Sequence, residues 1–144
     1  MGKKLGNDYR LWIESAVAGT YNEIKGQQNL KVNRKAGSID TSCKDDFPYG
    51  TEAPGLRSIS IDFELYPNLP DASGYTRFES MFQAGTATKF QIRKGGSTGA
   101  TPADVVFEAL MNIASNDSDF GKNDVVKAAG QLTLAAAPTI DTLA

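Results

Sequence analysis

Leu56-Arg57-Ser58-Ile59-Ser60-Ile61-Asp62-Phe63-Glu64-Leu65 is the stretch that decides how this chain folds. Ile59, Ile61, Phe63 and Leu65 alternate with Ser58, Ser60, Asp62 and Glu64. That period of two puts one set on each face of a pleated strand. A helix, at 3.6 residues per turn, cannot separate the two sets. One face is apolar and belongs against a core; the other, acidic and hydroxylic, belongs in water.

Upstream of this strand, residues 42–55 hold Lys44, Asp45, Asp46, Pro48, Gly50, Glu52, Pro54 and Gly55. Such a run predicts a long structureless loop, which in a compact domain is commonly functional. Phe47 and Tyr49 lie within it. They either pin the loop to its own domain or dock it on a neighbouring subunit. Further back, Leu30–Asn33 and Ser38–Thr41 predict two short strands around a Lys35-Ala36-Gly37 turn. Tyr9–Ile13 predicts another, with Tyr9, Leu11 and Ile13 inward and Arg10, Trp12 and Glu14 outward. After Ala18-Gly19-Thr20, Tyr21–Ile24 makes one more. Residues 1–8 are expected to be a loose arm. Short strands with turn signals at this frequency predict a mainly β sandwich or barrel.

Downstream, Tyr75, Phe78, Met81 and Phe82 recur at i, i+3, i+6 and i+7, one apolar face of a short helix over about residues 73–84. Ser73 fits its N-cap and Gly85 the position just past its end. Thr88–Lys94 alternates again, with Phe90 and Ile92 inward and Lys89, Gln91 and Arg93 outward. Gly95-Gly96-Ser97-Thr98-Gly99 is followed by Ala100-Thr101, so it lacks the lysine and hydroxyl of a phosphate loop. Residues 103–114 carry two signals. Thr101-Pro102-Ala103-Asp104 has the chemistry of a helix start, yet Val105, Phe107, Ala109, Met111 and Ile113 alternate as a strand does. Residues 115–123 read as a polar turn. Its acidic spacing fails as a calcium loop, because Phe120 and Lys127 stand where ligands are needed. Val125–Leu134 predicts a return strand with a bulge at Gly130, and residues 138–144 a flexible terminal arm.

With 144 residues a single domain buries roughly 70% of its unfolded surface and needs no staple. Cys43 is the sole cysteine and there is no histidine, which removes the commonest general base and metal ligand together. A net charge of -2 and a pI near 5.1 give no footprint for gripping nucleic acid. The basic start leads into no apolar segment of the signal-peptide kind, and no run is long enough to span a membrane. A soluble, non-secreted protein is expected. The carboxylate pairs Asp45-Asp46 and Asp62-Glu64 sit in no evident apolar pocket that would tune them for acid-base work. No catalytic residue, cofactor or metal site is therefore assigned. A free-standing binding module, for carbohydrate or a protein ligand, would need an aromatic exposed on a strand face. Trp12 is its candidate.

Ile39-Asp40-Thr41-Ser42, then the polar loop holding Gly50 and Gly55, then the Ser/Ile strand, resembles the tailed-phage tail tube (major tail) proteins. The likeness continues through the short helix, the Phe90-Gln91-Ile92 strand and Ala129-Gly130-Gln131-Leu132-Thr133 near the end. In that family residues 105–114 form a strand paired with the last one, and type VI secretion tube subunits share the architecture. The resemblance implies a structural virion protein, made in the host cytoplasm, whose hexameric rings stack into a tube. It implies a tape-measure protein and tail terminator or tip proteins as partners, and DNA that passes down the lumen without specific binding. It also implies that Ser58, Ser60, Asp62 and Glu64 face the lumen, and that Asp45, Asp46, Phe47, Tyr49 and Glu52 form an inter-ring loop.

Overall fold

The computed structural model describes residues 6–46, 48–67, 69–71, 73–94 and 104–142. In chain order its elements are β1 (Arg10–Glu14), β2 (Tyr21–Glu23), β3 (Gln27–Asp40), β4 (Glu52–Leu65), α1 (Tyr75–Ala84), β5 (Thr88–Arg93), β6 (Val105–Asp119), β7 (Lys127–Leu134) and β8 (Ile140–Asp141). All strands join one antiparallel sheet in the order β2-β1-β5-β6-β7-β4-β3, with β8 on β6. The ends of that order, β2 and β3, are consecutive in the chain, so the sheet folds over on itself. Gln27 holds the fold: its side chain accepts from the Leu11 amide and donates to the Leu11 carbonyl, both at 2.9 Å.

β6 is the shared wall. Its first half, from Val105 to Met111, pairs with β5; its second half, from Met111 to Asp119, pairs with β7. Two half-sheets thus face each other across a core of Leu11, Ile13, Ile61, Phe63, Leu65, Phe78, Phe90, Phe107, Met111 and Leu132. The alternation of Ile59, Ile61, Phe63 and Leu65 is realised as expected, all four buried. Residues 105–114 are strand rather than helix, since their side chains alternate between this core and the outer face.

α1 closes the core from one side. Phe78 meets Phe63 edge-on at 5.1 Å between ring centroids and Phe90 at 6.4 Å. Gly130 of β7 lies opposite Phe63 in register, and a Cβ there would stand 2.7 Å from Phe63 Cζ and 3.1 Å from Phe78 Cζ. The sequence predicts a bulge at Gly130, but pairing runs through it without a break. The irregularity lies on β6 between Ile113 and Ser115, opposite Leu132 and Gln131. The glycine is there to admit two rings.

Several boundaries differ from expectation. The two short strands around Lys35-Ala36-Gly37 are one strand, because Gly37 sits in a bulge between Ala36 and Ser38 rather than in a turn. The loop expected over 42–55 is shorter, since β4 already begins at Glu52. β6 runs on to Asp119 and leaves only residues 120–126 as the turn. The N-cap is Gly74 rather than Ser73, and it offers no side-chain cap. Buried Asp71 serves instead, its carboxylate accepting from the Tyr75 and Lys25 amides at 3.2 Å each. Gly85 ends the helix with φ 67°, as expected. Phe82, assigned to the apolar face, is exposed.

Residues 139–142 are not a loose arm. Ile140–Asp141 pairs with β6, the Thr139 and Thr142 amides donate to the Glu108 and Val106 carbonyls, and Asp141 accepts Arg34 of β3. Of the other expected arm, Gly6–Asp8 forms a single 3-10 turn; residues 1–5, Phe47 and the glycine-rich segment 95–103 lie outside the described residues.

Candidate assembly interface

The polar face singled out in the sequence is one face of a four-stranded half-sheet, β6-β7-β4-β3. Its register gathers residues into rows across the strands. Asn112, Thr133, Ser60 and Asn33 form one row, and Ser115, Gln131, Asp62 and Lys31 the next. Asp117, Ala129, Glu64 and Asn29 form a third. Ser58 and Lys35 flank these at one end, Asp119 and Lys127 at the other. All four predicted residues, Ser58, Ser60, Asp62 and Glu64, therefore share the face, with Ser58 and Glu64 exposed and Ser60 and Asp62 half-buried. Asn33 donates to Asp62 at 2.8 Å and reaches Ser60 at 3.4 Å.

The structure adds members the sequence reading missed. Lys31, Lys35, Lys127, Asp117 and Asp119 lie on the same face, so four acids meet three lysines instead of standing alone. The alternation of Lys31, Asn33 and Lys35 was visible in the sequence. What was hidden was the pairing that sets Lys31 opposite Asp62.

Among the described residues the half-sheet has two open edges. There β3 pairs with β4 alone, and the Asn112–Asp119 half of β6 carries a ladder on its β7 side alone. Unpaired edges on opposite sides of one sheet are templates for pairing with another chain.

β7 stops opposite Ser60, so β3 and β4 continue past it as a two-stranded arm. The arm crosses itself closely, a Cβ on Gly55 lying 3.1 Å from the Gly37 carbonyl carbon. Its tip is tied by Thr41 and Thr51, hydroxyl to hydroxyl at 2.9 Å, and by an Asx turn in which Asp40 accepts from the Ser42 amide. The Ser42 backbone amide and then its hydroxyl hold the Asp40 carboxyl below its usual pKa. Of the predicted loop residues, Asp45 and Tyr49 are exposed at the tip, Asp46 lies in a 3-10 turn and Glu52 opens β4.

On the other half-sheet the outward positions Trp12, Gln91 and Arg93 are buried. Trp12, assigned outward, is only 8% exposed. The Arg93 guanidinium covers its ring at 4.4 Å, with the Tyr21 ring at 5.8 Å. Arg93 Nε donates to Gln91 at 2.9 Å, and Gln91 donates to Glu108. Gln91 and Arg93 are accordingly buried, although strand alternation put them in water. Burial pulls the Arg93 pKa down and, with the Glu108 and Glu14 carboxylates, pushes Tyr21 up to about 12. A sugar-stacking platform needs an open aromatic face, and Trp12 does not offer one.

A family model described as phage tail tube protein matches residues 4–140. The chain belongs to the phage tail tube protein family. It is a structural protein of virion tails, and the family is not one of enzymes. No curated protein sequence matches it. The tail tube fold is borne out by solved structures. The chain matches a subunit from the tail of an empty gene transfer agent particle, refined helically with C6 symmetry, at 18% identity and TM-score 0.79, covering 97% of this chain and 100% of that one. The SPP1 tail tube matches at 19% identity and TM-score 0.73, covering 96% and 81%. The baseplate of the anti-feeding prophage matches at 11% and 0.66, covering 99% of each chain. Among the described residues no cluster of acids and cysteine is disposed to hold a metal, and no helix is long and apolar enough to cross a membrane.

Proposed function

We propose that six copies of this tail tube protein close into a ring, that rings stack into a tube, and that DNA travels down its lumen into the host. The observation that carries this is the pair of open edges on the four-stranded half-sheet. β3 of one copy pairs with the second half of β6 in the next, and the sheet continues around the ring. Six copies supply twenty-four strands. At ~4.8 Å between strands the wall measures ~115 Å around, or ~37 Å across before strand tilt widens it. That bore passes a nucleic acid duplex. Closure also removes every edge of the half-sheet, which otherwise invites uncontrolled aggregation.

With the apolar side of each half-sheet occupied by its own core, the polar side carrying Ser58, Ser60, Asp62 and Glu64 lines the lumen. Acids interleaved with Lys31, Lys35 and Lys127 leave few cations for phosphates, so DNA slides rather than binds. The loop predicted from the sequence, Asp45, Asp46, Phe47, Tyr49 and Glu52, makes the contact between rings. A tape-measure protein sets tube length, and terminator and tip proteins cap its ends.

Sedimentation and negative-stain microscopy of the purified protein test the reading. Rings of about 92 kDa, six times the 15.4 kDa chain, or tubes built from them, are expected. Monomers at high concentration, or a map with Ser58 and Glu64 on the outer wall, would overturn it.

A further inference from the structure

The two open edges of the half-sheet differ in charge. From Gln27 to Lys35, β3 carries the cations Lys31, Arg34 and Lys35 and no acid; from Asn112 to Asp119, β6 carries Asp117 and Asp119 and no cation. Arg34 stands opposite buried Ile59 and is held by Asp141. The other four charges are exposed, and among the described residues none of them enters an ion pair within its own subunit. Lys35 faces Ser58 and Asp117 faces Ala129. Asp62, opposite Lys31, is taken by Asn33, and Lys127, opposite Asp119, lies over the Tyr66 ring at 5.9 Å.

We propose that these four charges decide which edges join and in what register: Lys31 of one copy lies opposite Asp119 of the next, with Lys35 diagonal to Asp117. This deepens the ring reading and rests on it. A second copy is the occupant because the complement of each edge is the other edge of the same chain. Two β3 edges meeting about a two-fold axis would oppose cations alone, and two β6 edges acids alone. Like charges facing each other across a ladder are destabilising, so dimers that close on themselves are disfavoured and head-to-tail closure is left.

The register follows from β5 and from barrel geometry. Inside the subunit Lys31 shares a row with Ser115, and Asn33 with Asn112. Continued at the same level, β3 would carry Lys35 to Leu110, where Lys89 of β5 is already paired. The incoming strand is therefore displaced toward Asp119, by an even number of residues so that the polar faces stay together. Four residues per subunit, ~13 Å along the strands against ~19 Å across four of them, tilt the strands by ~35° and widen the bore from ~37 to ~45 Å. That tilt is usual for closed barrels, whereas two residues would give only ~19°. Six would carry Lys31 past the end of β6 at Asp119. Four is also the displacement that brings Lys31 to Asp119.

Lys31→Glu with Lys35→Glu gives a chain whose two edges are both acidic, and Asp117→Lys with Asp119→Lys one whose edges are both basic. Alone, each double variant should need at least about tenfold more protein to form rings. Mixed one to one, they should form rings of alternating copies near the wild-type concentration. Cross-linking reads the register without reversing charge. In a Cys43→Ser background, Lys31→Cys with Asp119→Cys should oxidise to a ladder of covalent oligomers ending at the hexamer, since directly opposed positions lie within disulfide reach. Lys31→Cys with Ser115→Cys should not. Rings from either charge variant alone at the wild-type concentration, or a ladder from the Ser115 pair instead of the Asp119 pair, would overturn the proposal. Failure of the wild-type chain to form any ring would instead overturn the assembly itself.

Discussion

Gly130→Ala places a methyl group where three ring carbons already stand: Phe63 Cζ at 2.7 Å, Phe63 Cε1 at 3.0 Å and Phe78 Cζ at 3.1 Å. Neither ring has room to retreat, for Phe63 and Phe78 are packed edge to face and almost wholly buried. Overpacking of this kind costs about 1–3 kcal/mol. Alanine recovers about 0.5–1 kcal/mol of that, the penalty glycine carries in a strand interior. The difference spans about 0–2.5 kcal/mol, and an approach as close as 2.7 Å places the expected loss at about 1–2 kcal/mol. In urea, with a slope of about 2 kcal/mol/M, the midpoint should drop by about 0.5–1 M at unchanged slope. Phe63→Leu removes the offending Cζ, so the double variant should lose less than the sum of the single ones, with a coupling of at least about 0.5 kcal/mol. A Gly130→Ala midpoint equal to or above that of the wild type would refute the argument, as would strict additivity with Phe63→Leu.

Glu64→Lys is the cleaner probe of the lumen, since Glu64 is exposed and faces Asn29, whereas lysine at Asp62 would oppose Lys31 and lose the Asn33 bond. Tubes should form but release DNA slowly at low salt and normally at high salt; normal release at low salt removes Glu64 from the lumen. Asp141→Asn breaks an exposed pair worth at most about 1 kcal/mol, so melting should move by no more than about 4 °C. Amide exchange at Thr139 and Thr142 should quicken well beyond the rest of the sheet. Tyr21 has a folded pKa of about 12, chiefly from burial, above an unfolded value near 10. Its contribution to stability is complete below pH 10 and disappears as pH rises through 12. Absorbance at 295 nm should show one phenol ionising last, in step with loss of near-ultraviolet dichroism, and Tyr21→Phe should abolish that last step.

The elements legible in the sequence were those whose side chains alternate against a single core. β4, the inward positions of β5 and β6, and the Tyr75–Phe78 face of α1 are of this kind. The failures share another cause. Trp12, Gln91 and Arg93 point away from the core, yet neighbouring strands pack their side chains into a second buried layer, which alternation within one strand cannot reveal. Gly37 and Gly55 read as turn residues because glycine signals a break; here they let two backbones touch inside a continuous hairpin. Gly130 read as a bulge for the same reason. The candidate site was half legible. The polar face of β4 stood out by itself, but its lysines arrive from β3 and β7, and only register shows which of them oppose Asp62.

β6 belongs to both half-sheets, and this fixes how the subunit bears a load. Hydrogen bonds of an antiparallel ladder lie perpendicular to its strands. A pull along the strands therefore loads every rung between β6 and β7, and between β4 and β3, together in shear. A pull across the strands would open the same rungs one after another. In the tube proposed above, with strands along the direction of stacking, tension would meet the stiff mode, and the fifteen-residue β6 would carry it from one half-sheet to the other. Compliance is left to the arm, where only two strands and the Gly37–Gly55 crossing connect the tip to the rest of the molecule.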